Sequence, residues 1–105
     1  MGLLALAKLA GVLVVKLLIG PWAANKLVRR GIDPKEVGQM PSNGARAARN
    51  PRPRRPGSRF LIGPTNGGRM LTVVVEPEPA DDGIWHVRTA WDSSAAEQMF
   101  YYRRS

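Results

Sequence analysis

Residues 59–76 read RFLIGPTNGGRMLTVVVE. Two apolar runs, RFLIG and RMLTVVVE, flank PTNGG, and an Asn-Gly step between such runs is a strong hairpin signal. The next residues, EPEPADDG (76–83), turn the chain into IWHVRTAW (84–91), a third strand. Unbroken alternation puts Trp85, Val87, Thr89 and Trp91 on one face, with Ile84, His86, Arg88 and Ala90 on the other. Ser94 then caps a final amphipathic helix, with Glu97 three positions on completing a capping box. Tyr101, four residues after Glu97, lies on the same stripe of that helix.

Working back from the hairpin, PWAANKLVRR (21–30) opens with a proline suited to the first helical turn and closes at Gly31. DPKEV (33–37) repeats the pattern, with Asp33 capping, Pro34 in the first turn and Glu36 facing the cap. Ahead of these, VLVVKLLIG (12–20) reads as a strand buried on both faces except at Lys16. Residues 1–11 read as an apolar lead, helical or loosely structured. The expected order is β-α-α-β-β-β-α, a small α+β domain over residues 12–105. Its antiparallel sheet carries the helices on one face.

The chain has 105 residues, enough for one modest core. It contains no cysteine and one histidine, so no disulfide framework, thiolate site or multi-histidine metal site is available. No metal site and no cofactor is expected. Sixteen lysines and arginines against eight acids leave a net charge of +8, which points to a polyanionic or acidic partner. In MGLLALAKLAGVLVVKLLIG (1–20), Lys8 and Lys16 interrupt the apolar run. Each costs roughly 2.5–3.5 kcal/mol at mid-membrane, so buried structure is favoured over a span, with membrane association as the alternative. No small-residue cleavage pattern of a signal peptide follows.

Residues 41–58, running on into Arg59, form the most unusual segment. It contains no acid, arginines at 46, 49, 52, 54, 55 and 59, and prolines at 41, 51, 53 and 56. That proline density predicts a loop. Arginine forks bind phosphate bidentately, so the loop reads either as a phosphate-contacting arm or as a solvated insertion.

WAANKLVRRGIDPKEV (22–37), SRFLIG (58–63), GRMLTVVV (68–75) and TAWDSSAAEQMFY (89–101) together resemble, in order and spacing, the BrnT-like toxins of bacterial type II toxin–antitoxin systems. The resemblance covers residues 20–104. It implies a RelE-like fold and a metal-independent endoribonuclease of the cytoplasm, neutralised by a cognate antitoxin encoded nearby. It also implies catalytic roles for Arg59, Arg69, Glu97 and Tyr101, with Asn25 and Gly31 matching the first helix and its cap. Three positions depart from the pattern: Arg30 replaces a histidine, Ser58 a glutamate, and Trp91 an arginine. Losing one charge-stabilising donor typically costs about 100- to 1000-fold in rate, so Trp91 weakens the expected site. Arg88, three residues back, lies on the opposite strand face from Trp91 and cannot simply substitute.

The RNA-binding candidates are Arg30, Arg46, Arg49, Arg52, Arg54, Arg55, His86 and Arg88. Each candidate also has an ordinary reading. Glu97 serves as a capping-box acid, Tyr101 as an amphipathic helix residue, Arg59 and Arg69 as solvated strand ends, and His86 as a polar strand residue. A non-catalytic nucleic-acid- or protein-binding module on the same fold is therefore the second reading. A small membrane-associated protein is the third.

Overall fold

A computed structural model describes residues 8–9 and 12–103. Lys8–Leu9 (β1) and Val12–Leu13 (β2) pair antiparallel as a two-stranded ribbon. The rest of the lead expected over residues 1–11 lies outside the described residues. Then follow β3 (Lys16–Leu18), α1 (Pro21–Arg29), α2 (Pro34–Gln39), a 3₁₀ turn (Pro41–Asn43), β4 (Arg46–Arg49), β5 (Arg59–Pro64), β6 (Met70–Pro77), β7 (Ile84–Asp92) and α3 (Ala95–Tyr102). β3 to β7 form one sheet in the order β3-β7-β6-β5-β4.

The helix punctuation follows the sequence closely. Gly31 has φ 75°, and Gly31 N–H and Ile32 N–H donate to the carbonyls of Val28 and Leu27, closing α1 in a Schellman arrangement. Asp33 with Glu36, and Ser94 with Glu97, both form complete capping boxes. The hairpin turn forms too, with Thr65 N–H donating to Arg69 O and Gly68 N–H to Thr65 O.

Four expectations need correction. The sheet is mixed, because β3 runs parallel to β7 while the other pairings are antiparallel. The segment 41–58 is not one loop: Arg46–Arg49 pairs with β5 as an edge strand. Its prolines fall at 41, 51, 53 and 56 and spare those four residues, so nothing there removes a ladder N–H. The strand expected over 12–20 is broken at residues 14–15, where Val14 is buried but Val15 is 55% exposed. β3 lies at the edge of the sheet and is only partly buried, with Lys16 exposed and Leu17 and Leu18 half-buried.

The fourth correction concerns the two faces of the sheet. α1 and α2 cover one face, where Leu27, Ile32, Val37 and Met40 pack with Leu61, Leu71, Val73, Val75 and Val87 in one core cluster. Gly63, opposite Leu71 in this layer, must be glycine because a Cβ there would come within 2.7 Å of Ala45. α3 crosses the opposite face instead. Ile62 and Thr72, paired across β5–β6 and alternating with the core residues, are almost wholly buried there. Thr72 Oγ1 reaches Glu97 Oε1 of α3 at 2.9 Å. The helices thus divide between the faces, because β5 and β6 are apolar on both sides and each side needs cover. α3 spans only part of its face.

Candidate functional site

The uncovered part of the α3 face owes its shape to one bulge. Across β6–β7, Val75 pairs with Val87 and Val74 with Thr89, so Arg88 has no partner. One extra residue reverses the alternation beyond it. Ala90 therefore joins the core opposite Val73, while Thr89 and Trp91 oppose Val74 and Thr72 on the outer face. Thr89 and Trp91 do not share a face with Trp85 and Val87, as simple alternation expects. Arg88 and Trp91, expected on opposite faces, line the same pocket.

That pocket has a volume of about 360 Å³, within the usual range for small-ligand sites. Its floor is Phe60, Val74 and Thr89, with Trp91 at the α3 end. Trp22 and Lys26, one turn apart on α1, form one wall, and the 50–58 loop forms another with Arg52 and Arg54. The loop is pinned at its base. Asn50 Nδ2 donates to Ser58 Oγ at 2.9 Å, and Asn50 Oδ1 accepts from Arg52 N–H at 3.0 Å. Both Asn50 and Ser58 are buried. Ser58 thus takes a structural role at the position where the toxin pattern has a glutamate.

Electrostatically the pocket is basic. Lys26, Arg52, Arg54 and Arg88 face a single carboxylate, Glu76, whose side chain is 12% exposed. Glu76 lies 3.6 Å from both Arg55 Nε and Arg88 Nε. Lys26 Nζ and the Arg88 guanidinium lie 5.0 and 5.3 Å from the centre of the Trp22 ring, holding cations over an exposed indole. Thr89 Oγ1 is buried in the pocket wall without a hydrogen-bond partner.

The residues to which the resemblance gives catalytic roles do not come together. By register with Val75, Arg59 lies on the α1/α2 face, and its Nη1 donates to Ser58 O at 3.2 Å. Arg69 is tied into the same side. Its Nε and Nη2 bind Asp92 at 2.7 and 3.2 Å, and its Nη1 donates to Gly31 O and Glu36 Oε1 at 3.0 and 3.1 Å. The hydrogen bond from Arg69 holds the Asp92 carboxyl below the ordinary carboxylate range, and the same bond raises the Arg69 guanidinium.

Glu97 and Tyr101 sit on α3, on the outer face. Glu97 Oε1 accepts from Ser94 N–H at 2.8 Å, Thr72 Oγ1 at 2.9 Å and Trp91 Nε1 at 3.1 Å. Burial pushes its carboxyl up, but these donors outweigh burial and hold it below the ordinary value. A carboxylate so occupied is a weak base. Tyr101 is half-buried and stacks edge-on against Tyr102 with ring centroids 5.1 Å apart.

The RNA-binding candidates also divide. Arg46 Nη1 donates to the carbonyls of Phe100, Tyr101 and Arg103, clamping the C-terminus of α3. Arg30 Nη1 reaches Ala90 O at 3.5 Å, and Arg49 is exposed at the end of β4. Arg52, Arg54 and Arg88 line the pocket; Arg55 joins it through Glu76. His86 Nε2 lies 2.7 Å from Glu78 Oε1, and that hydrogen bond, followed by one from Ala80 N–H, holds Glu78 below its ordinary value.

Sequence reading overlooked Trp22, Lys26, Phe60 and Glu76. The first two carried a signal in their helical spacing of four. Among the described residues, no helix is long and apolar enough to cross a membrane, and no three His, Cys, Asp or Glu side chains cluster as metal ligands. No protein-family model matches the chain, and no curated protein does.

Proposed function

We propose that this protein binds single-stranded RNA in the pocket between α1, the 50–58 loop and the outer face of the sheet. The observation that carries this reading is the pocket's composition: four cations and three aromatic rings around one carboxylate already flanked by two arginines. Cations track the phosphates, and an unstacked base finds aromatic faces worth about 1–3 kcal/mol each. Lys26, Arg52, Arg54 and Arg88 are the phosphate contacts, while Phe60, Trp91 and Trp22 are the stacking surfaces.

The second reading is a BrnT-like, RelE-like endoribonuclease toxin of the cytoplasm, neutralised by a cognate antitoxin. One observation favours it. The bulge puts the Arg88 cation on the face where Trp91 stands in the arginine position of the toxin pattern. A charge the sequence counts as lost is thus supplied three residues earlier.

Binding of a short oligoribonucleotide, followed by tryptophan fluorescence, tests the RNA reading. With three or four phosphate contacts, the log–log slope of affinity against salt should be roughly −2 to −3. A flat dependence between low and physiological salt would eliminate the pocket as a phosphate site.

A further inference from the structure

We propose that Glu76 and His86 are an acid–base pair that cleaves RNA, with Arg55 and Arg88 neutralising the scissile phosphate. The inference rests on the RNA-binding reading and adds a reaction and its residues. Glu76 and His86 are direct partners across β6–β7, and both face away from the core cluster containing Val75 and Val87. Directly opposed residues hold their Cβ atoms about 4.5–5.5 Å apart, so both side chains lie within reach of one phosphate.

Two further features distinguish this pair from a simple surface contact. Arg55 comes from the proline-rich loop and Arg88 from the bulge, yet both approach Glu76 at 3.6 Å, one to each carboxylate oxygen. At that distance both guanidiniums remain beyond ordinary hydrogen-bond length, so the lone pairs of the carboxylate stay open to a proton. Glu76 also belongs to two pockets. One is the RNA pocket; the other, of about 460 Å³, is lined by Arg55, Pro79 and His86. An RNA strand passing from one pocket to the other carries a phosphodiester across Glu76, between the arginines and the imidazole. The hydrogen bond that His86 Nε2–H donates to Glu78 Oε1 fixes the imidazole ring and leaves Nδ1 as the second site for a proton.

The reaction balances with these groups alone. The Glu76 carboxylate takes the proton of the ribose 2′-hydroxyl, and the 2′-oxygen forms a bond to phosphorus. The phosphorus–O5′ bond breaks, and the departing 5′-oxygen takes a proton from the His86 imidazolium. The products are a 2′,3′-cyclic phosphate and a 5′-hydroxyl. Proton exchange with water then restores carboxylate and imidazolium. The guanidiniums of Arg55 and Arg88 meet the charge that builds on the non-bridging oxygens. Glu97, by contrast, already accepts from three donors.

The test is single-turnover cleavage of an end-labelled oligoribonucleotide by the full chain in EDTA, with RNA affinity and thermal melting measured on the same samples. Wild type should yield 2′,3′-cyclic phosphate ends. Glu76→Gln and His86→Gln should each slow cleavage by about 100-fold or more while still binding RNA. If Glu76→Gln fails to fold, Glu76→Asp serves instead, since it keeps the counter-ion and withdraws the carboxylate by one methylene. Wild type that binds RNA but leaves it intact overturns this inference and leaves the RNA-binding reading standing. So does cleavage that is undiminished in the folded variants. Failure to bind RNA removes both.

Discussion

Trp91 and Glu97 show how one pair of side chains joins the sheet to α3. The Trp91 ring meets Phe60 edge-on at a centroid distance of 5.4 Å, and its indole N–H donates to Glu97 Oε1 at 3.1 Å. Glu97 also completes the cap of α3 and receives the Thr72 hydroxyl. Burial opposes its ionisation, yet its donors keep the carboxyl below the ordinary carboxylate range. A carboxyl lowered in the folded state adds stability above its unfolded pKa and loses that contribution as pH falls through the folded value. The melting temperature should therefore hold through neutral pH and fall below about pH 4. Glu97→Gln keeps a capping side chain but not the charge. It should lower stability by about 1 kcal/mol at neutral pH and flatten the acid decline, as followed by circular dichroism melts across pH. Asp92, held down by Arg69, accounts for part of the decline that remains.

At the scale of elements, α3 is held at both ends rather than by a buried face, since none of its residues is fully buried. Ser94 and Glu97 fix its start, while Arg46 collects carbonyls from the end and lies 5.1 Å from the Phe100 ring. A cation at a helix C-terminus stabilises the dipole as well as the free carbonyls. Arg46→Ala should speed amide hydrogen exchange across Ala95–Tyr102 by about tenfold, while protection in β5 and β6 stays unchanged. Uniformly faster exchange would show that α3 melts only with the whole domain. Much of this level was legible in the sequence: both capping boxes, the Gly31 stop and the Asn66-Gly67 hairpin each depend on neighbouring residues. The bulge at Arg88 was not, because IWHVRTAW alternates acceptably in either phase and only the partner strand decides where a residue is skipped. β4 was hidden for a similar reason. The four residues Arg46–Arg49 acquire strand character from β5, not from their own propensity.

Across the whole molecule, charge and shape converge on one side of the sheet. α1 and α2 close the core face, α3 closes part of the other, and the remaining surface is floored by Phe60, Val74 and Thr89 beneath a rim of cations. The net charge of +8 points to a polyanion or an acidic partner. Which arginines would meet it was not readable in advance, since Arg46 and Arg69 are occupied by carbonyls and carboxylates while Lys26 and Arg88 reach the pocket. Such long-range partners leave no local trace in sequence. The most direct test of the pocket as the RNA site is amide NMR of the full chain titrated with a short oligoribonucleotide. The largest shift changes should fall at Lys26, residues 52–54, Phe60, Glu76 and residues 88–91, with the indole signals of Trp22 and Trp91 moving alongside. Changes confined instead to the exposed side of α3 around Met99 and Tyr102, or to the Arg59 and Arg69 side, would contradict the assignment.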